Sequence, residues 1–280
     1  MLLAFNGSTT QKAKLETDIE AAAAAGFKAL EIGVAKLDQY LLDWWHLPAA
    51  EQLQETFAQH NIRPISVNAV EGINFRGDQF DLVKRRCRLL AGTMKVLGCP
   101  YLVVAPGMAP RGARNDEIHK ETVKALRALA DIVAPYGVSL AFEPQGFHWS
   151  SVRTLGAAWD IVQEVNRDEV GLVLDAVHFH LSDSPLSDIE RLDPAKVFLL
   201  QLDDVESMDK DLVGDAHRVM PGDGVVPLGD ILRKLKAIGY DGICSLELNR
   251  PALWERDPVE VAREGYNAMR RVLRPHFQIE

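Results

Sequence analysis

The sequence predicts an α/β fold, a (β/α)8 TIM barrel running over residues 1–280 as one domain, and three observations predict it. Eight short apolar runs of strand length alternate with longer segments of helical period. Glycine, and once asparagine, stands repeatedly between a helical segment and the strand that follows it. The spacing, roughly 35 residues per strand–helix pair, is close to the unit size of such a barrel. A doubly wound open sheet shares the alternation, but no GxGxxG follows the first strand to support dinucleotide binding.

In chain order the strands are expected at Leu2–Asn6, Ala29–Gly33, Pro64–Ala69, Tyr101–Ala105, Val138–Glu143, Val170–Asp175, Val197–Asp203 and Ile243–Leu248. Their near-continuous apolar character fits strands covered on both faces, as in a parallel sheet. Helical period marks Leu15–Ala25, Ala49–His60, Phe80–Leu97, Glu117–Tyr136, Leu155–Asn166, Leu228–Ile238 and Pro258–Leu273. The last opens with Asp257, Pro258 and Glu260, an N-cap, a first-turn proline and an N3 glutamate. Gly26, Gly98, Gly137 and Gly239, with Asn61 at the equivalent place, are the residue types that tolerate the left-handed conformation ending a helix.

A 47% hydrophobic content over 280 residues is enough for one large core, and no Ser/Gly/Pro-rich linker divides the chain. The net charge of −9 argues against a nucleic-acid groove or an anionic membrane as partner, since both need clustered Lys and Arg. A small-molecule ligand is the expectation, on a monomer or homodimer. Cys87, Cys99 and Cys244 match neither a disulfide framework nor a CxxC knuckle, and Met1 to Asn6 lacks a basic, apolar leader. No run approaches the roughly 18–20 apolar residues of a membrane helix. A cytoplasmic location is expected.

Function in such a barrel gathers at strand C-termini. Read in order, those ends are Asn6, Glu31, Asn68, Ala105, Glu143, Asp175, Gln201 and Glu247. Any one carboxylate there could simply cap the next helix or pair with an arginine. Three aimed at one volume repel one another unless a cation sits among them, so Glu143, Asp175, Gln201 and Glu247 are the expected ligands of a divalent metal. Oxygen donors suit Mn2+ first and Mg2+ next, with Zn2+ or Co2+ as the softer alternatives. Glu143 and Glu247 are also the expected proton carriers. His178, three residues past Asp175, and Arg218, on the long segment after the seventh strand, are expected to contact substrate oxygens. His180 reads as structural, Asp203 and Asp204 as supporting or loop-capping groups, and Trp44 and Trp45 as either an apolar lid or rim packing.

Val165 to His180, the opening Phe5-Asn6-Gly7-Ser8-Thr9-Thr10, Asp203-Asp204, Arg218-Val219, the Pro221–Gly224 turn and Ser245–Leu248 together resemble the xylose-isomerase-like sugar isomerase and epimerase superfamily. Within it they are most similar to the inosose isomerase (2-keto-myo-inositol isomerase) family of inositol catabolism. The likeness covers nearly the whole chain; each short motif marks the superfamily, and their ordered set is more specific. It implies a barrel with one divalent metal held by Glu, Asp, His and Glu, at Glu143, Asp175, Gln201 and Glu247, and substrate contacts at His178 and Arg218. Gln201 departs from the histidine usual in the isomerases and resembles the bacterial 3-dehydroshikimate dehydratases. The implied reaction is metal-assisted isomerisation or epimerisation of a cyclic polyhydroxy ketone or sugar through an enediolate, with dehydration of 3-dehydroshikimate or an inosose as the alternative and an endonuclease-like or non-catalytic barrel as a remote one. Abasic-site endonucleases share the superfamily, but they need a histidine-rich zinc cluster and a basic surface that this sequence lacks.

Overall fold

A computed structural model of the chain describes residues 1–74 and 76–280. Eight parallel strands close into a barrel: β1 (Leu2–Asn6), β2 (Ala29–Gly33), β3 (Arg63–Val70), β4 (Tyr101–Val104), β5 (Ser139–Phe142), β6 (Val170–Asp175), β7 (Val197–Leu202) and β10 (Ile243–Leu246), with β10 closing on β1. All eight lie where the apolar runs predict, within about two residues at either end. A two-stranded antiparallel ribbon, β8 (Asp204–Val205) with β9 (Arg218–Val219), stands outside the barrel.

Among the described residues ten helices surround the strands: α1 (Leu15–Ala25), α2 (Val34–Asp43), α3 (Ala49–Gln59), α4 (Asp78–Leu97), α5 (Asn115–Val133), α6 (Leu155–Val165), α7 (Ala176–Leu181), α8 (Leu186–Glu190), α9 (Leu228–Ala237) and α10 (Pro258–Leu273). Gly26, Asn61, Gly98, Gly137 and Gly239 all adopt positive φ, as the helix-stop pattern requires, and Asn166 at the end of α6 joins them. The α2, α7 and α8 helices are additional to the expected set. In α2, Leu37 and Tyr40, one turn apart, are the buried apolar pair that gives it an inner face. No helix among the described residues is long and apolar enough to cross a membrane.

Strand residues sort into two apolar clusters. Leu3, Phe5, Leu30, Ile32, Leu140, Phe142, Leu172, Leu174, Leu200 and Leu202 pack outward with the helices. Leu2, Ala4, Ala29, Ile65, Val103, Ala141, Val173 and Leu199 form a separate cluster, the filling of the barrel. At the N-terminal ends of β4 and β7 the rings of Tyr101 and Phe198 stack at 4.8 Å. Gly171 makes room for them: a Cβ there would lie 2.7 Å from the Phe198 ring.

Candidate metal centre and active site

Side chains alternate across a strand, so the residue two places beyond an inward apolar one also points inward. Ala4 is followed in this way by Asn6, Ala29 by Glu31, Ala141 by Glu143, Val173 by Asp175 and Leu199 by Gln201. On β10, Ile243 packs against the inner cluster, and Ser245 and Glu247 follow it. A polar layer therefore tops the apolar filling, and its members are buried. The register with β3 slips between Leu30 and Glu31, so Ser66 rather than Ile65 stands beside Glu31.

Two asparagines hold Glu247: Asn6 Nδ2 donates to its Oε1 at 3.0 Å and Asn68 Nδ2 at 2.9 Å. Glu31 collects donors from four other strands, namely Asn6, Ser66, Gln201 and Ser245. Burial raises Glu31, Glu143, Asp203 and Glu247 above the ordinary carboxylate range, and neighbouring acids push Glu143 and Glu247 further. Burial also works to raise Asp175, but Arg218, His178 and their hydrogen bonds outweigh it and hold Asp175 below that range.

A cation does sit among these acids, and it belongs to the chain. Arg218, 1% exposed, donates through Nη1 to Asp175 Oδ2 at 2.6 Å and to Asp203, and lies 3.7 Å from Glu247 Oε2. The ribbon delivers it. The carboxylate of Asp204 accepts backbone N–H groups from Val205, Gly222, Gly224 and Val226 at 2.8–3.1 Å, cinching the long segment after β7 so that β9 turns Arg218 inward. Gly224 must be glycine, because a Cβ there would come 2.3 Å from the Val205 carbonyl oxygen. Asp203 accepts the Val177 N–H, so both aspartates support the loop and helix as expected.

Asp175 caps α7 by accepting the His178 N–H at 2.6 Å, which fixes His178 over the same layer. Its Nε2 lies 3.6 Å from Glu143 Oε1 and 3.3 Å from Arg218 Nη2. Burial lowers the His178 pKa, which favours the neutral ring; Arg218 can only donate, so Nε2 is the acceptor toward it, and Nδ1 is buried without a partner. The Phe147 ring meets the imidazole edge-on at 4.9 Å and stacks with Trp149.

One positive charge is too few for five buried acids, and the site fits a divalent metal. Ligand atoms of Glu143, Asp175 and His178 lie within 4.8 Å of one another. Gln201 Oε1 is buried with no hydrogen-bond partner, although its Nε2 is satisfied at 3.1 Å by Glu31. Gln201, whose register partner on β6 is Asp175, thus carries an orphaned amide oxygen, a hard donor of the kind a divalent cation takes.

A cavity of about 440 Å3 opens above the layer, lined among others by Asn6, Asn68, Glu143, His178, Arg218 and Glu247. Asp175 and Gln201 are buried beneath this lining. Gln145, Phe147, Trp149, Asp215 and Asn249 also line it and were not singled out by sequence; for the aromatics the signal was their place directly after the fifth strand. Among the described residues neither Trp44 nor Trp45 reaches the cavity. Trp44 packs by Tyr40 and His46 while Trp45 is 79% exposed, which is rim packing rather than a lid.

Comparison with known proteins agrees with this architecture. The chain is 34% identical to an inosose isomerase of Halalkalibacterium halodurans over all of this chain and 99% of that one. It is 33% identical to the Bacillus subtilis inosose isomerase over the full length of both. A crystal structure of IolI protein with a bound zinc atom superposes with a TM-score of 0.94 at 33% identity, covering 99% of this chain and all of the other. A 3-dehydroshikimate dehydratase of Pseudomonas aeruginosa is 32% identical over 44% of this chain and 20% of its own length. The family model described as xylose isomerase-like TIM barrel matches residues 19–272, and the chain belongs to that family.

Proposed function

We propose that this protein is a divalent-metal-dependent inosose isomerase, moving the carbonyl of a cyclic polyhydroxy ketone to the neighbouring carbon. The observation that carries the reading is the full-length similarity to inosose isomerases, and the ring of buried carboxylates is what that chemistry requires. Glu143, Asp175, Gln201 and Glu247 would hold the metal, with Mn2+ preferred, Mg2+ next, and Zn2+ or Co2+ as alternatives. His178 is close enough to Glu143 and Asp175 to contribute a nitrogen. A bound divalent ion supplies electrophilic stabilisation of the negative charge that develops on the carbonyl oxygen.

The chain's own residues do the rest. Glu143 and Glu247 approach the cavity from the ends of β5 and β10, and each carboxylate has two oxygens, so that holding the ion leaves one free to move a proton. One carboxylate removes the proton from the carbon next to the carbonyl, giving an enediolate. A proton is then delivered to the former carbonyl carbon, and the hydroxyl proton shifts between the two oxygens to complete the exchange. Arg218 and neutral His178 orient the ring oxygens, while Phe147 and Trp149 shield one wall from water. An inosose incubated in D2O with metal-loaded protein should give the shifted ketone with deuterium on carbon, and chelation should stop both. Absence of both product and exchange in the loaded protein would remove the isomerase reading.

Gln201 in place of the family's usual histidine, with the partial match to a dehydratase, motivates a second reading: loss of a hydroxyl β to the carbonyl from the same enolate. Growth of an aromatic ultraviolet band from 3-dehydroshikimate would support it; a flat trace removes that substrate.

A further inference from the structure

The geometry points to Glu31 as the positioning residue of the metal centre: by taking the amide N–H of Gln201, it fixes Oε1 as the face offered to the ion. The pair thereby selects a hard ion such as Mn2+ or Mg2+ over Zn2+. The inference rests on the proposed reading of Gln201 as a metal donor.

Glu31 stands on β2 and Gln201 on β7, with β1 and β10 between them, so the two side chains meet across the lumen rather than along a shared edge. Glu31 Oε1 accepts from Gln201 Nε2 at 3.1 Å, from Ser245 Oγ at 3.2 Å and from Asn6 Nδ2, while Oε2 accepts from Ser66 Oγ at 2.7 Å. Asn6 cannot turn to relieve this crowding, because its Oδ1 already accepts the Ser8 N–H at 2.9 Å. Turning the Gln201 amide over would set its oxygen against a carboxylate oxygen. The amide is therefore locked with nitrogen toward Glu31. Its other end, Oε1, is left buried and unpartnered, on a strand residue whose register partner on β6 is Asp175.

Outer carboxylates that accept an N–H from a ligand are a general means of orienting that ligand. A histidine at position 201 would be held by the same Glu31 through a ring N–H and would present nitrogen. Glutamine, held the same way, presents oxygen. With Glu31 unchanged, residue 201 sets the hardness of the fourth donor and Glu31 makes the choice effective.

The test is calorimetric titration of metal-free protein with Mn2+ and with Zn2+, for wild type and four variants. Gln201→Ala and Glu31→Leu are expected to weaken Mn2+ binding about tenfold or more, the usual effect of losing a ligand's outer partner. Glu31→Gln keeps an accepting oxygen and should stay within about threefold of wild type. Gln201→His should move the Zn2+ to Mn2+ affinity ratio toward zinc by about tenfold or more. If Gln201→Ala binds Mn2+ as wild type does, the donor reading fails and takes this inference with it. If Gln201→Ala weakens binding while Glu31→Leu does not, the donor reading stands and the positioning role is overturned. Should Glu31→Leu fail to fold, wild-type protein with glutamine labelled at Cδ and Nε decides by NMR. Mg2+ should shift the Gln201 Cδ resonance, assigned by its loss in Gln201→Ala; a dominant shift at Nε2, or none at either, overturns the orientation.

Discussion

Replacing Asp204 separates the barrel's stability from the delivery of Arg218. Its carboxylate accepts four backbone N–H groups, and they are unequal. Val205 and Val226 are buried, with bonds of 2.9 and 2.8 Å, whereas Gly222 and Gly224 are exposed residues whose amides water can reach. An unpaired buried N–H costs about 1–3 kcal/mol, so Asp204→Ala, which strands two, should lose about 4 kcal/mol. Asp204→Asn can keep its oxygen on the two buried amides and should lose about 1 kcal/mol. Because the segment opens locally before the barrel does, part of the Ala loss should appear as faster hydrogen exchange at residues 205 and 218–226 rather than as a lower urea midpoint. Arg218 is then less firmly held, and KM for the ketone should rise about tenfold or more with a smaller change in kcat. Asp204→Ala with stability within about 0.5 kcal/mol of wild type, unchanged exchange and unchanged KM would refute the argument that this carboxylate cinches the loop.

Gly171→Ala drives a methyl group against the Phe198 ring and the Lys196 carbonyl oxygen, and should lower unfolding stability by about 1–3 kcal/mol in urea titrations. Burial lifts Asp18 from 3.8 to about 6, against the pull of Lys36 and Thr10. The folded state therefore keeps a proton that the unfolded state has released, and stability should fall by up to about 3 kcal/mol as pH rises from about 4 to 6. Asp18→Asn should flatten that slope; an unchanged slope assigns it elsewhere. Lys36→Met leaves Asp18 buried without its cation and should cost about 3–5 kcal/mol at neutral pH, read from the urea midpoint. Mn2+ at a hundredfold excess over its Kd should stabilise the fold by about 2.7 kcal/mol, reversibly with chelator, and an unmoved Tm would argue against a metal centre.

The barrel was legible because its signals are local and repeated. A buried strand is an apolar run, and a left-handed helix stop needs glycine or asparagine, which Gly26, Asn61, Gly98, Gly137 and Gly239 supply. The upper polar layer was legible for the same reason: the two-residue period carries Val173 into Asp175 and Leu199 into Gln201. Arg218 shows where that logic stops. Mutually repelling acids need a cation among them, and the chain supplies one itself, from a ribbon of two-residue strands with no periodicity to read. The aromatic wall was hidden likewise. Trp44-Trp45, between β2 and β3, and Phe147-Trp149, between β5 and β6, both lie on connections between barrel strands, and only the path of each connection sets which pair turns toward the lumen. That Glu31 reaches across to Gln201 depends on the barrel's closure, a long-range property no window of sequence contains.

The stacked rings of Tyr101 and Phe198 and the apolar filling above them give the site a floor. Protons taken from substrate carbon cannot drain toward the base of the barrel; they either return to substrate or leave by the mouth through which the substrate entered. Retention of the substrate's own hydrogen in the product thus measures how well the mouth is closed. Thinning its aromatic wall at Trp149 should trade retention for solvent exchange without touching a single acid of the polar layer.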